Sequence, residues 1–154
     1  MRIKKEDRPS HQWGLAEERF HRFQSETNST LLVVTFLTDA IFHDEYLRDC
    51  TTPHICHLIP LRIDPNEWET NPVWAFASHR LVFGFDGVPF QLPRIPRVAV
   101  EKGSAFCFRP KNGIKPNIPG GDGVGWIGEN NREGFGQAVL WHPFHLDYRK
   151  GALQ

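Results

Sequence analysis

Residues 123–140 read GVGWIGENNREGFGQAVL, and eight of the chain's 13 glycines fall between Gly113 and Gly136. Glycine enters positive-φ backbone freely and lets another backbone approach closely, at a cost in chain entropy, so clustering it implies a purpose. Successive amides in such a turn can form a concave nest for an anion. Trp126, Ile127 and Phe135 give the stretch anchors that a floppy loop lacks. Two nucleotide-binding readings fail on context. Gly123, Gly125 and Gly128 match GxGxxG formally, but that fingerprint opens a helix, whereas here a turn leads into the apolar strand 137–141. No Gly-Lys-Ser/Thr closes the stretch, so it is not a P-loop. With the doubly wound fold set aside, the chain reads as α+β, strand-rich with long loops.

The strand signals upstream agree. TLLVVTFL, residues 30–37, is rich in β-branched and apolar residues and bounded by Asn28-Ser29 and Thr38-Asp39. It is too apolar for a half-exposed strand, which places it centrally in a sheet. Further strands are predicted over 80–85, 97–100 and 104–108, and a weaker one over 55–63. Residues 39–50, DAIFHDEYLRDC, fit a short helix capped by Thr38 or Asp39, with Ile41, Phe42 and Tyr46 packing. Phe83, Phe85, Phe106 and Phe108 alternate at strand spacing and are expected in the core. Residues 1–25 read as a charged helix, or as a stretch extended or ordered by a partner.

A length of 154 residues fits one domain, and 40% hydrophobic with 23% charged residues is ordinary for a globular protein. No apolar run approaches the roughly 20 residues needed to span a bilayer. The opening MRIKKEDRPSHQWG lacks the apolar core of a secretory signal, so a cytoplasmic location without membrane partners is expected. Cys50, Cys56 and Cys107 are an odd count at irregular spacing, which reads as free thiols.

Zero net charge conceals a pattern. Between residues 39 and 86 eight acidic residues face Arg48, Arg62 and Arg80; between 91 and 115 Arg94, Arg97, Lys102, Arg109, Lys111 and Lys115 face Glu101 alone. That asymmetry favours an anionic partner for the basic stretch, which runs into the glycine-rich segment. RNA would need cations for phosphates, amides for close contact and flat side chains for bases. The candidates are the six basic residues with Arg132, the glycines Gly125, Gly128, Gly134 and Gly136, and Trp126 and Phe135. Candidate catalytic groups are Asp39, which otherwise reads as a cap or turn, and His43, a general base with no defined partner. Cys50, His54, Cys56 and His57 could hold a structural zinc, although the spacing fits no standard finger; no other cofactor is indicated. Five tryptophans also admit a carbohydrate-binding β-rich module, against which the basic stretch counts.

GWIGENNREGFGQAVL resembles the C-terminal glycine-rich loop of the RAMP superfamily, the repeat-associated proteins of CRISPR effector complexes. Gly125, Ile127, Gly128, Gly134, Phe135 and Gly136 fit that loop, which leads into a strand. KGSAFCF, residues 102–108, is similar to the G-S-x-F-x-F strand that precedes it. LLVVTFLTDAIF, residues 31–42, resembles the L-L-S-D-A strand end of the type III-D member. The resemblance implies a ferredoxin-like (RRM-like) βαββαβ fold and a non-catalytic subunit of a type III complex. Such a subunit holds guide RNA beside other effector subunits, with target RNA nearby. Many members carry two such units, and this chain corresponds to one, either a single unit or the C-terminal half. The alternative on the same fold is an endoribonuclease acting through His43 or His21.

Overall fold

A computed structural model describes residues 13–86 and 92–146. The chain opens with helix α1 (Ala16–Thr27), its first turn acidic and its end closed by Asn28 in the left-handed region. The strands that follow are β1 (Leu32–Phe36), β2 (Phe42–His43), β3 (Asp49–Cys50), β4 (Trp74–Phe76), β5 (His79–Val82) and β6 (Phe85–Asp86). After them come β7 (Leu92–Pro93), β8 (Arg97–Val100), β9 (Ala105–Phe108), β10 (Val124–Trp126) and β11 (Gln137–Leu140). Five strands form one antiparallel sheet in the order β10-β11-β1-β9-β4, and β5 pairs with β8 in a separate two-stranded ribbon. The architecture is α+β, mostly antiparallel, with few helices.

The apolar stretch 30–37 does supply the central strand: all five residues of β1 are buried. Its register fixes the core. Val34 stands opposite Phe106 and Leu140, and Leu32 opposite Phe108, so these side chains share one face of the sheet. Phe42, Leu58, Leu61 and Ile127 complete the same apolar cluster. Each large side chain buried there is worth about 1.5–3 kcal/mol.

Local chemistry overrides several expectations. Residues 39–50 form a β2–β3 hairpin, not a helix. Asp44 accepts hydrogen bonds from the Tyr46 and Arg48 amides at 2.8 and 3.0 Å and so closes a side-chain turn that competes with helix. Tyr46 is exposed, whereas Ile41 and Phe42 pack as expected. Residues 55–61 form a 3-10 helix instead of a strand: Ile55, Leu58 and Leu61 are its buried residues, and a spacing of three is the 3-10 period. The predicted strand 80–85 breaks after Val82, and Phe83 is 70% exposed rather than core; the side chain of Phe85 lies outside the described residues. Phe106 and Phe108 are fully buried.

Helix α1 is part of this body; residues 1–12 of the predicted N-terminal stretch lie outside the described residues. Phe20 packs on Trp141 with ring centroids 4.9 Å apart. Arg19, only 5% exposed, gives its guanidinium to the carbonyl oxygens of Gly14, Asp122 and Leu140 at 2.5–3.2 Å. The arginine therefore ties the helix to β11 and to the entry of the glycine-rich segment. Among the described residues no helix is long and apolar enough to cross a membrane.

Candidate nucleic-acid interface

The glycine-rich segment is a hairpin: β10 and β11 pair antiparallel, with a 3-10 turn, Asn131–Glu133, at the tip. Six of its amides between 127 and 136 are already used. Ile127 N–H donates to Gly136 O, Glu129 N–H to Ile41 O, and Gly136 N–H to Asp39 O, all at 2.7–2.8 Å. The amides of Glu133, Gly134 and Phe135 donate to the Asn130 and Asn131 carbonyls. Asn131 adds side-chain bonds to the Ile127 and Phe135 carbonyls. The glycines serve these close approaches. A Cβ on Gly136 would sit 1.9 Å from Ile127 O, one on Gly128 2.4 Å from Ile41 O, and one on Gly125 2.7 Å from Leu61 Cδ2. Gly134 alone of the four glycine candidates opens on space, with nothing within 4 Å. Most of the hairpin's backbone is thus spent on holding its own shape.

What that shape creates is a cleft of about 540 Å³ between the hairpin tip and the β5–β8 ribbon, within the usual size of a ligand site. Ile41, Val82, Phe83, Ile95 and Phe135 give it apolar walls, and Arg94 and Arg97 line it with charge. Phe83 and Ile95 are 70% and 83% exposed, large apolar surfaces held open to solvent. Arg94 Nη1 donates to both carboxylate oxygens of Glu133 at 3.0 Å, joining the two walls. Arg97 Nε donates to Asp49 Oδ1 at 2.7 Å, and Asp49 Oδ2 accepts the Val98 amide at 2.8 Å. Burial alone would raise the Asp49 carboxyl, but the Val98 amide and Arg97 hold it below the ordinary carboxylate value. The two ion pairs differ in weight. Arg94 and Glu133 are 36% and 48% exposed, so solvent screens them to about 0.2–1 kcal/mol. Arg97 and Asp49, at 26% and 19%, belong to the frame.

Both candidate catalytic residues sit near this cleft. Asp39 is fully engaged: Oδ1 accepts the Lys102 amide at 2.9 Å, and Oδ2 meets Arg80 Nη2 at 2.5 Å. It is a cross-link between β1's end, the ribbon and the hairpin, and no helix follows for it to cap. His43 lies between Asp49, 3.3 Å from Nε2, and Glu129, 3.6 Å from Nδ1, with Arg97 Nη2 in close contact with Nε2.

The basic stretch divides between two ends of the sheet. Arg94, Arg97 and Lys102 lie at the end where Asp39 meets the hairpin. Arg109, Lys111 and Lys115 follow the other end of β9, where the Lys111 amide bonds Glu67 O and Lys115 faces α1. Arg132, on the hairpin tip, is exposed and has no ion-pair partner among the described residues. Trp126 is 43% exposed on β10 but does not line the cleft; its register puts it on the sheet face that carries Trp74 and Phe76. The sequence reading placed Phe83 in the core, because alternation marks strand residues and not which of them remain uncovered, and gave no signal for Ile95, which lies between β7 and β8.

The metal candidates do not converge. His57 Nδ1 accepts the His54 amide at 2.9 Å, and Nε2 bonds His43 O at 3.0 Å, so both ring nitrogens serve backbone. Desolvation lowers the His57 pKa, in keeping with a neutral ring. Cys56 is exposed, and Cys50 is half-buried with its thiol pKa raised by burial. Among the described residues no three His, Cys, Asp or Glu side chains form a metal-binding group. Comparison with protein-family models and with curated protein sequences gives no match.

Proposed function

We propose that this chain is a non-catalytic RNA-gripping subunit of a type III CRISPR ribonucleoprotein, holding guide RNA in the cleft beside the glycine-rich hairpin. The observation that carries the reading is the meeting in one open cleft of Arg94, Arg97, exposed Phe83 and half-buried Phe135. Guanidinium groups suit phosphate oxygens, and an exposed aromatic offers a sequence-tolerant face for an unstacked base. The grip is built from side chains, with the hairpin backbone as its rigid support. Arg132 and Lys102 extend it at the same end of the sheet.

Two features of the fold support the family part of the reading. The three segments that resemble RAMP proteins fall on adjacent strands, β11, β1 and β9. With β10 set aside, the sheet runs fourth-first-third-second in chain order, all antiparallel, as in a ferredoxin-like sheet. The crossovers differ: the first contains a 3-10 helix, and the second, residues 109–136, contains no α-helix among the described residues.

The test is a titration of fluorescent guide-length RNA with purified protein at several salt concentrations. Affinity should fall with salt, because phosphate contacts release counterions. Replacing Arg94 and Arg132 by Ala should weaken binding more than replacing Arg109 and Lys111. Salt-independent binding, or none, contradicts the proposal. The setting of His43 between Asp49, Glu129 and Arg97 favours one second reading, an endoribonuclease. Cleavage of that RNA by the protein alone, lost in His43→Ala, would establish it; intact RNA excludes it.

A further inference from the structure

Building on the cleft reading, we infer that Arg94 is a phosphodiester subsite which Glu133 keeps filled until RNA arrives. Glu133 presents two carboxylate oxygens to one guanidinium nitrogen at 3.0 Å each, a place that the two free oxygens of a phosphodiester can take with the same charge. The partners come from opposite walls. The Arg94 amide donates to Gly84 O at 2.8 Å and fixes that residue to the ribbon side, while Glu133 stands in the 3-10 turn of the hairpin tip. Their contact therefore joins the two walls of the cleft and occupies the Arg94 guanidinium, which lines it together with Phe83 and Ile95.

Exposure decides which carboxylate yields. Asp49 is 19% exposed and bonds both Arg97 and the Val98 amide, so removing it would open the frame. Glu133 is 48% exposed, and no other partner for its carboxylate is found among the described residues. It can turn into solvent with full hydration as a phosphate takes its place. No covalent bond changes, and the phosphate oxygens take over the Nη1 hydrogen bonds that Glu133 gives up. Arg132, next in sequence and exposed, can accept a neighbouring phosphate. Glu133 thus lowers affinity for weak anions and sets a threshold that a polyanion passes through several contacts at once.

Anisotropy titrations of labelled single-stranded RNA with the full chain test this, using wild type, Glu133→Gln, Arg94→Ala and the double variant. Glu133→Gln should bind roughly two- to fivefold more tightly, the equivalent of one screened ion pair. Arg94→Ala should lower the salt slope by about 0.7, one single-strand phosphate contact. In the double variant the gain from Glu133→Gln should vanish. Wild-type binding with no gain in Glu133→Gln, or a gain that survives Arg94→Ala, overturns the subsite and leaves the cleft reading standing. If neither wild type nor Glu133→Gln binds RNA, the cleft reading itself falls, and the subsite with it. Thermal melts of the four proteins, expected to coincide within a few degrees, separate these outcomes from misfolding.

Discussion

Gly136 and Gly134 lie two residues apart with φ near +90°, yet they answer different needs. At Gly136 a side chain would overlap Ile127 O, and at Gly128 it would overlap Ile41 O, both rigid backbone atoms. Gly136→Ala and Gly128→Ala should therefore each cost several kcal/mol or prevent folding. Gly134→Ala meets open space and should cost only the left-handed backbone strain, about 1–2 kcal/mol. Chemical denaturation of the three variants checks the order; equal losses would contradict it. The density of glycine was plain in the sequence, but its cause was not, because the approaching atoms belong to Ile127, Ile41 and Leu61. Two histidines give a second prediction at this scale. Desolvation lowers the pKa of both His57 and His145, so the folded state favours their neutral forms. Between the folded values and the unfolded value near 6.5 the unfolded chain binds more protons. Stability should hold above that pH and fall as pH drops through the window. His145, whose Nε2 lies 2.8 Å from Thr35 Oγ1, should account for part of the slope. Melting curves of wild type and His145→Gln between about pH 7.5 and 5 test this; a flat wild-type profile would contradict it.

Single polar side chains decide several elements. Arg19 supplies donors to four carbonyls, those of Trp13, Gly14, Asp122 and Leu140, at the junction of α1 and β11. Arg19→Ala would remove the donor from the buried Leu140 carbonyl and from the part-buried carbonyls around it, at about 2–4 kcal/mol. The denaturation midpoint should drop accordingly, and a change under about 0.5 kcal/mol, typical of a surface site, would argue against the anchor. Asp44 acts in the same way on a smaller element. Its carboxyl is held below the ordinary value chiefly by the Arg48 amide, and the turn it closes makes 39–50 a hairpin. The apolar pattern of Ile41, Phe42 and Tyr46 suited a helix equally well, so the side-chain turn carried the decision. The Ile55-Leu58-Leu61 spacing was legible as a 3-10 period, yet Ile59 and Ile63 between and beyond them made the run look continuous. By contrast β1, β9 and β11 were readable outright, because the inner strands of the sheet are apolar almost without interruption, and the ribbon strand β8 was readable from the run Val98 to Val100.

At the scale of the whole molecule, the antiparallel sheet sets which charges meet. Reading 91–115 as one basic stretch missed that β9 carries its two halves to opposite ends of the sheet, since linear order says nothing of chain reversal. The cleft arises from the same reversal: the ribbon of β5 and β8 returns alongside the hairpin tip, and the contact of Ala40 with Val100 holds it there. Neither wall alone carries both the arginines and Phe135. The central claim is that this cleft grips RNA, and the salt dependence of affinity tests it most directly. The account predicts a linear fall of log K with log salt, whose slope shrinks by about 1.4 when Arg94 and Arg132 are both replaced by Ala, two single-strand phosphate contacts. A slope unchanged by that double replacement would contradict it.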